Sequence, residues 1–371
     1  MNSNKQKRIQ KITTMKKIGI FGCSGFIGSH LVERLLDSTR YKIIGADITQ
    51  DKIGHLVKNP DFEFYKININ DLKKSKELLK KCDTVISLAA LCNPALYNTI
   101  PLEVIDSNFT QPHALVSLCA ELGVRIIHFS TCEVYGKTIR GVALKKLTDP
   151  EDEANYLLSE DSSQLIMGPI NAQRWTYAAA KQLLERVIYA YGEQDLLEYT
   201  IIRPFNFIGS RMDFIPGFDG NGIPRVIACF MESLLLNKPL KLVDGGKNTR
   251  SFTSIHDAID AIVKIIELPE QSKNQIFNIG NPNNEFTIQE LAEMFISLYK
   301  ELYPDRNYTS KIISVPSAEF YGKGYEDSDK RVPDISKAQR LLGWYPNINI
   351  MDALKETIVS YVDYYGKKWA A

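Results

Sequence analysis

The sequence predicts an α/β protein whose centre is a doubly wound parallel sheet. Three observations carry that prediction. Short, continuously apolar runs recur from Met15 to Arg203, stretches of helical periodicity separate most of them, and the first run ends in a glycine-rich turn that opens a helix. Strands that are apolar throughout are buried on both faces, and strand–helix–strand repetition supplies the helices that cover them.

The elements follow in order. KKIGIF is the first strand, and FIGSHLVERLLDS after it has apolar positions at helical spacing. YKIIGAD, EFYKIN, TVISLAA, VRIIHFS and EYTIIRPF supply five more strands, with helices expected around 71–81, 101–122 and 173–193. Beyond Arg203 the texture changes. Residues 206–225 are rich in Gly, Pro and Asn and read as a long loop. A helix over about 222–236, the short strand LKLV, a helix in IHDAIDAIVKIIE and a buried strand in QIFNIG come next, and the remainder mixes helices with polar loops. Residues 1–14 are polar and basic (Lys5, Lys7, Arg8, Lys11) and lack the apolar core of a signal peptide, so a flexible extension is expected, with Met15 as a natural start.

Of the 371 residues 44% are hydrophobic and 24% charged, enough for a sizeable core and unlike a disordered chain. A net charge of +1 gives no reason to expect nucleic acid or an acidic membrane surface as partner. No stretch approaches transmembrane length. The six cysteines form no CxxC pair and no Cys/His set has zinc spacing. Free thiols in a reducing, cytoplasmic setting and no metal site are the expectation.

Gly22-Cys23-Ser24-Gly25-Phe26-Ile27-Gly28 follows the first strand and opens the first helix. Glycines there allow a tight turn and bring backbone N–H groups to a pyrophosphate at the helix N-terminus. Asp47 ends the second strand, where a carboxylate accepts hydrogen bonds from a ribose 2′-hydroxyl and repels a 2′-phosphate. NAD rather than NADP is the expected cofactor. The plan is therefore a Rossmann-type NAD-binding domain over 15–205, joined by about 251–282, with a smaller interleaved C-terminal substrate domain from 206–250 and 283–371.

Tyr177-Ala-Ala-Ala-Lys181 lies in a helical stretch, so both side chains share a face. A neighbouring ammonium favours the phenolate and makes tyrosine a usable base near neutral pH. YxxxK alone fits an ordinary amphipathic helix; joined to the glycine motif and a threonine at a strand end, it gains meaning.

With GCSGFIG, SLAA, STCEVYG, YAAAK and RPFN, the chain resembles the extended short-chain dehydrogenase/reductases that act on nucleotide sugars. The resemblance implies that Thr131 hydrogen-bonds the reacting hydroxyl, Tyr177 removes its proton, Lys181 tunes Tyr177, Ala89 of SLAA lies at the cofactor and Asn108 is structural near the site. Glu133, Arg331 and Arg174 resemble the acid/base glutamate, the arginine and the carboxylate-binding arginine of UDP-glucuronate decarboxylases. LCNPA, RMDFIPG, DGGKNTRSF, NIGNPNNE and FYGKGYEDSDKR are similar to the UDP-apiose/UDP-xylose synthase family from Met15 to about residue 350.

That resemblance implies UDP-glucuronate as substrate, NAD-mediated oxidation at C4, decarboxylation, and then ring contraction through a retro-aldol step to UDP-apiose beside UDP-xylose. Cys92 and Cys132, after the fourth and fifth strands, are the candidate thiol bases if their pKa is depressed; Cys23, Cys82, Cys119 and Cys229 are expected to be structural. Arg250 and Arg211 are candidates for the UDP diphosphate, Lys241 and Arg225 for weaker contacts, Asn206 for the diphosphate or sugar, and Tyr97 for the glucuronate. His128 lies within a strand and is read as core. A homodimer through two helices of the sheet domain is a further implication of the family. Two alternatives remain at this point: a decarboxylase that stops at UDP-xylose or the 4-keto pentose, and a non-catalytic NAD-binding sensor on the same fold.

Overall fold

The computed structural model describes residues 15–220, 222–306, 308–321 and 326–369, the last with side chains to 366. The expected extension over 1–14 and residues 322–325 of FYGKGYEDSDKR lie outside the described residues.

Seven strands form the central sheet: β1 (Lys16–Phe21), β2 (Tyr41–Asp47), β3 (Phe62–Lys66), β4 (Thr84–Ser87), β5 (Arg125–Phe129), β6 (Tyr199–Pro204) and β7 (Gln275–Ile279). They run in the order β7-β6-β5-β4-β1-β2-β3, every pair parallel. Ile18, Ile20, Ile86, Ile126, Ile127, Ile201 and Ile202 are each 0% exposed. β-branched side chains suit a pleated surface, and burying each of them contributes roughly 1.5–3 kcal/mol. That is why these runs form strands without polar alternation.

The longer helices are α1 (Phe26–Leu36), α2 (Leu72–Leu79), α3 (Gln111–Leu122), α4 (Arg174–Glu193), α5 (Val226–Leu235), α6 (Ile255–Glu267), α7 (Ile288–Leu302) and α8 (Ile350–Trp369). α1 and α6 share one core with the sheet; α2, α3 and α4 pack against the other. The first core continues through α5, α7 and α8 into the C-terminal part of the molecule. Ser254 caps α6, and Thr287 with Glu290 forms a capping box on α7. The sheet is thus a Rossmann-type doubly wound layer. Its strand order reverses between β1 and β4, which opens a crevice at their carboxyl ends. Among the described residues, no helix is long and apolar enough to cross a membrane.

Two helical expectations change. The stretch 101–122 is interrupted: an α-turn at Pro101–Ile105 gives way to π-helix at Asp106–Thr110 before α3 begins. Pro112 has no N–H to donate and its ring clashes with the carbonyl four residues back, so the chain widens a turn. The Gln111 N–H accordingly donates to the Asp106 carbonyl. The helix expected from 222 starts at Val226, because Gly222 has φ +90°, Pro224 disfavours a helical residue before it and Arg225 is extended.

A second, four-stranded sheet is assembled from Glu285–Thr287, Thr249–Ser251, Lys330–Pro333 and Leu157–Leu158, neighbours in that order. Its register sets Arg250 directly beside Arg331.

Candidate active site

A cavity of about 550 Å³ occupies the crevice, and its walls come from the start of α1, from the ends of β4, β5 and β6 and from the C-terminal part of the chain. On one side lies the glycine turn. Gly22 has φ +93°, and a Cβ there would come 2.8 Å from the backbone nitrogen of Ala89. A Cβ on Gly28 would press on the Gly22 carbonyl and sit 2.8 Å from the Cys23 Cα. The turn therefore closes tightly against the helix it opens. Gly25 caps α1 with no side-chain hydrogen bond at the cap, so the N-terminal N–H groups are left to a ligand or solvent. Asp47 steadies the turn: its carboxylate accepts from the N–H groups of Ser24 at 2.8 Å and Ile48 at 2.7 Å. This cradle fits a dinucleotide pyrophosphate, with Phe26 and Ile27 facing the cavity.

Thr131, Tyr177 and Lys181 converge across the cavity from that cradle. Thr131 follows β5 and its Oγ1 accepts the Glu133 N–H at 3.1 Å. Tyr177 and Lys181 project from α4, and Tyr177 shares a side-chain hydrogen bond with Thr131. The Tyr177 ring stacks on Tyr97 with centroids 5.1 Å apart and planes 9° from parallel. The Lys181 ammonium donates to the Phe129 carbonyl at 3.0 Å. Burial lowers its pKa from 10.5 to about 8. Burial also pushes the Tyr177 phenol well above its ordinary range. The Lys181 ammonium is expected to draw the Tyr177 pKa down; burial acts in the opposite direction.

Beside this triad is a buried charge network. Glu133 lies between two guanidinium groups, Arg174 Nη2 at 2.6 Å from Oε2 and Arg331 Nη1 at 2.6 Å from Oε1. Asp327 binds Arg250 at 2.7 Å and Arg331 at 3.0 Å, with Arg174 at 3.7 Å. Two like charges directly opposite in a sheet repel; Asp327 is what lets Arg250 and Arg331 stand side by side. Burial works to raise the Glu133 carboxyl, but Arg174 and Arg331 outweigh it and hold the group well below the carboxylate range. Arg331 Nη1 also reaches the Cys132 sulfur at 3.7 Å. Burial nevertheless raises the Cys132 thiol, against the pull of Arg331. The depressed pKa expected of a thiolate base is absent at Cys132. Cys92 is exposed, at the cavity wall.

The cavity gathers most of the predicted residues: Phe26, Ile27, Cys92, Tyr97, Thr131, Cys132, Glu133, Arg174, Tyr177, Lys181, Asn206, Arg225, Lys241, Arg250 and Arg331. Gly22, Gly25, Gly28, Asp47 and Ala89 stand behind its wall as the cradle. Arg211, expected at a diphosphate, is turned away: its guanidinium binds Glu33 at 2.6 and 2.9 Å and His30 at 2.9 Å on α1. Arg225 reaches the cavity while paired with Asp213 at 3.2 Å. Asn108 donates from the π-helix to the carbonyls of Leu91 at 2.8 Å and Val104 at 2.9 Å, which pins the loop carrying Cys92. His128 is buried in the sheet. Cys229, read as structural, also lines the cavity, its thiol donating to the Pro224 carbonyl at 3.3 Å. Asp327 was missed. Its signal was the acidic cluster EDSD immediately before KR, but no local pattern says which carboxylate turns inward.

A parallel sheet with a pyrophosphate cradle at its switch point, facing a Thr/Tyr/Lys set, defines an oxidoreductase-type site that works on a ligand held beside a dinucleotide. Residues 18–280 match the family model described as the NAD dependent epimerase/dehydratase family, and the chain belongs to that family. UDP-D-apiose/UDP-D-xylose synthase 1 of Arabidopsis thaliana is 49% identical over 361 residues, which span 95% of this chain and 92% of the relative. The UDP-D-apiose/UDP-D-xylose synthase of Oryza sativa subsp. japonica is 47% identical over 349 residues, 92% and 88% of the two chains. Among solved structures, the PbgP3 protein from Burkholderia pseudomallei superposes with a TM-score of 0.82 at 34% identity, covering 95% of this chain and 98% of that one. The UDP-glucuronic acid 4-epimerase from Bacillus cereus, in complex with UDP-glucuronic acid and NAD, has a TM-score of 0.75 at 24% identity over 94% and 100% of the chains, a likeness of fold.

Proposed function

We propose that the protein converts UDP-glucuronate to UDP-apiose together with UDP-xylose. The observation that carries this is the joining, in one cavity, of the Thr131/Tyr177/Lys181 set, the Glu133 carboxylate between Arg174 and Arg331, and the thiols of Cys92 and Cys132. The similarity to the two plant synthases supports it over nearly the whole chain. Bound NAD supplies the oxidant for sugar C4 and returns the electrons later in the same turnover, so there is no net redox change.

The chain's residues divide the rest. Tyr177 takes the proton of the sugar 4-hydroxyl, Thr131 orients that oxygen, and the Lys181 ammonium favours the phenolate. A ketone at C4 lies β to the uronate carboxylate, so carbon dioxide leaves as electrons flow into that carbonyl. Thr131 and the reprotonated Tyr177 donate to the oxygen where charge develops. Arg174 binds the uronate carboxylate. Arg331 keeps Glu133 ionised as an acceptor when Arg174 turns to the substrate. Arg250, Lys241, Arg225 and Asn206 take the UDP moiety.

Ring contraction needs a base near the C2 and C3 hydroxyls. The protonated Cys132 thiol serves as a hydrogen-bond donor, and the base role falls to Cys92. The same raised Cys132 thiol favours a second reading, a UDP-glucuronate decarboxylase that ends at UDP-xylose or the 4-keto pentose.

The deciding experiment is incubation with UDP-glucuronate and NAD, with products identified by NMR. A branched pentose supports the synthase; linear pentoses alone support the decarboxylase. Cys92→Ala is expected to keep carbon dioxide release and lose the branched sugar, and unchanged apiose yield would remove Cys92 from the mechanism. The free cysteines suit a reducing cytoplasm. The working form is a homodimer joined through the apolar stripes of residues 101–122 and of α4.

A further inference from the structure

Next to the charge network is a second, smaller set of contacts that the proposed chemistry does not use. Glu326 precedes Asp327, and Trp175 follows Arg174. The Trp175 indole N–H donates to Glu326 Oε2 at 2.9 Å, and Lys137 Nζ lies 2.8 Å from the same oxygen. The bond forms over Gly168: a Cβ there would come 2.6 Å from the indole nitrogen and press directly on the Glu326 carboxylate. Only a residue without a side chain lets the two groups meet. Trp175 is 4% exposed and packs with Ala172, Ala178 and Met167, so the ring cannot shift to keep the bond. Lys137 and then Trp175 lower the Glu326 pKa, so the carboxylate is ionised.

We infer that Glu326 is a positioning residue for the uronate carboxylate, a clamp that sets the separation of Arg174 from Asp327 through the neighbouring residues of each. The inference rests on the proposed substrate. It turns on geometry: Arg174 pairs closely with Glu133 at 2.6 Å and only loosely with Asp327 at 3.7 Å. Closing that gap would commit Arg174 to two protein carboxylates and weaken its hold on a third, the ligand's. The Glu326–Trp175 bond fixes the start of α4 against the segment that carries Asp327 and keeps the gap open. Lys137 neutralises Glu326 so that its charge does not draw Arg174 away. The clamp touches no reacting atom.

The test compares two ligands that differ by the carboxylate, UDP-glucuronate and UDP-xylose, on the NAD-loaded protein. Trp175→Phe removes the N–H and keeps the ring; Glu326→Ala removes the acceptor. The expected result is UDP-glucuronate binding about tenfold weaker in Trp175→Phe, the effect of one hydrogen bond to a charged group, with UDP-xylose binding unchanged. Glu326→Ala shows the same selectivity, and the double variant loses no more than either single variant, as expected when both break one shared bond. Variants that bind both ligands as the wild type does, or lose both equally, overturn the clamp. The two failures are distinguishable: a wild type that does not turn over UDP-glucuronate refutes the proposed function, whereas an active wild type with unselective variants refutes the clamp.

Discussion

Lys181 is a lysine that the fold makes less basic, and this gives it a signature in pH. Burial lowers its pKa from 10.5 to about 8, with Cys92 and Glu185 pulling it back up. Its folded pKa thus lies below its unfolded one. Below about pH 8 the ammonium is charged in both states and its burial cost is fully present. Between about 8 and 10.5 the unfolded chain binds more protons, so this contribution to stability rises with pH. Relative to Lys181→Met, the wild type should gain about 3 kcal/mol across that window. Urea denaturation at a series of pH values measures it, and parallel curves would contradict the depressed pKa. At this scale the sequence was most legible where spacing is short: GCSGFIG and YAAAK declare themselves within a few residues. Asp327 and the outward turn of Arg211 were not legible, since their partners lie up to about two hundred residues away and one Asp among EDSD looks like another.

Elements carry information that residue types alone do not. The strands were readable because burial on both faces demands unbroken apolar runs, and their parallel order followed from the helices between them. The π-helical turn was not readable, although its cause, Pro112, is in plain view. Periodicity averages over a single widened turn, and proline near a helix start is ordinary. The turn has a consequence, because it rotates Asn108 toward Leu91 and so holds the Cys92 loop. Asn108→Ala leaves the Leu91 and Val104 carbonyls without that donor and should cost about 1–3 kcal/mol of stability. The branched product should fall further than carbon dioxide release. Chemical denaturation and product NMR on the same preparation check both, and a variant with wild-type stability and product ratio would show that the turn does not support the loop. The second sheet was also invisible to a linear reading. It is stitched from four short strands drawn from distant parts of the chain, and its register alone puts Arg250 next to Arg331.

For the whole molecule the open issue is what covers its apolar stripes. Leu102 is 79% exposed and Ile105 39%, with Phe109 and His113 stacked on the same side of the stretch. These positions recur at helical spacing. On α4, Ala179, Leu183 and Ala190 are exposed along one face, with Leu183 48% exposed and the exposed Arg186 between Leu183 and Ala190. The two stripes run on helices that pack against each other. Isolated exposed leucines are ordinary, whereas exposed apolar residues on two helices packed together suit the proposed interaction surface. In the proposed homodimer a second copy would offer the same pair of helices, and a two-fold axis between them would make a four-helix bundle, an isologous interface that closes on itself. The opposite faces of these helices carry Tyr177, Lys181 and Asn108, so in the proposed dimer the bundle would also stiffen the catalytic side. Light scattering should therefore give a mass about twice the 42.0 kDa of one chain. Leu183→Glu places a charge at the centre of the contact and should yield monomers, with the helix still formed because glutamate is a good helix former. Those monomers should retain NAD binding, since the cradle lies across the sheet on α1, and should lose turnover as α4 loosens. A wild type with the mass of one chain, or a Leu183→Glu protein that remains paired, would remove the dimer from the account.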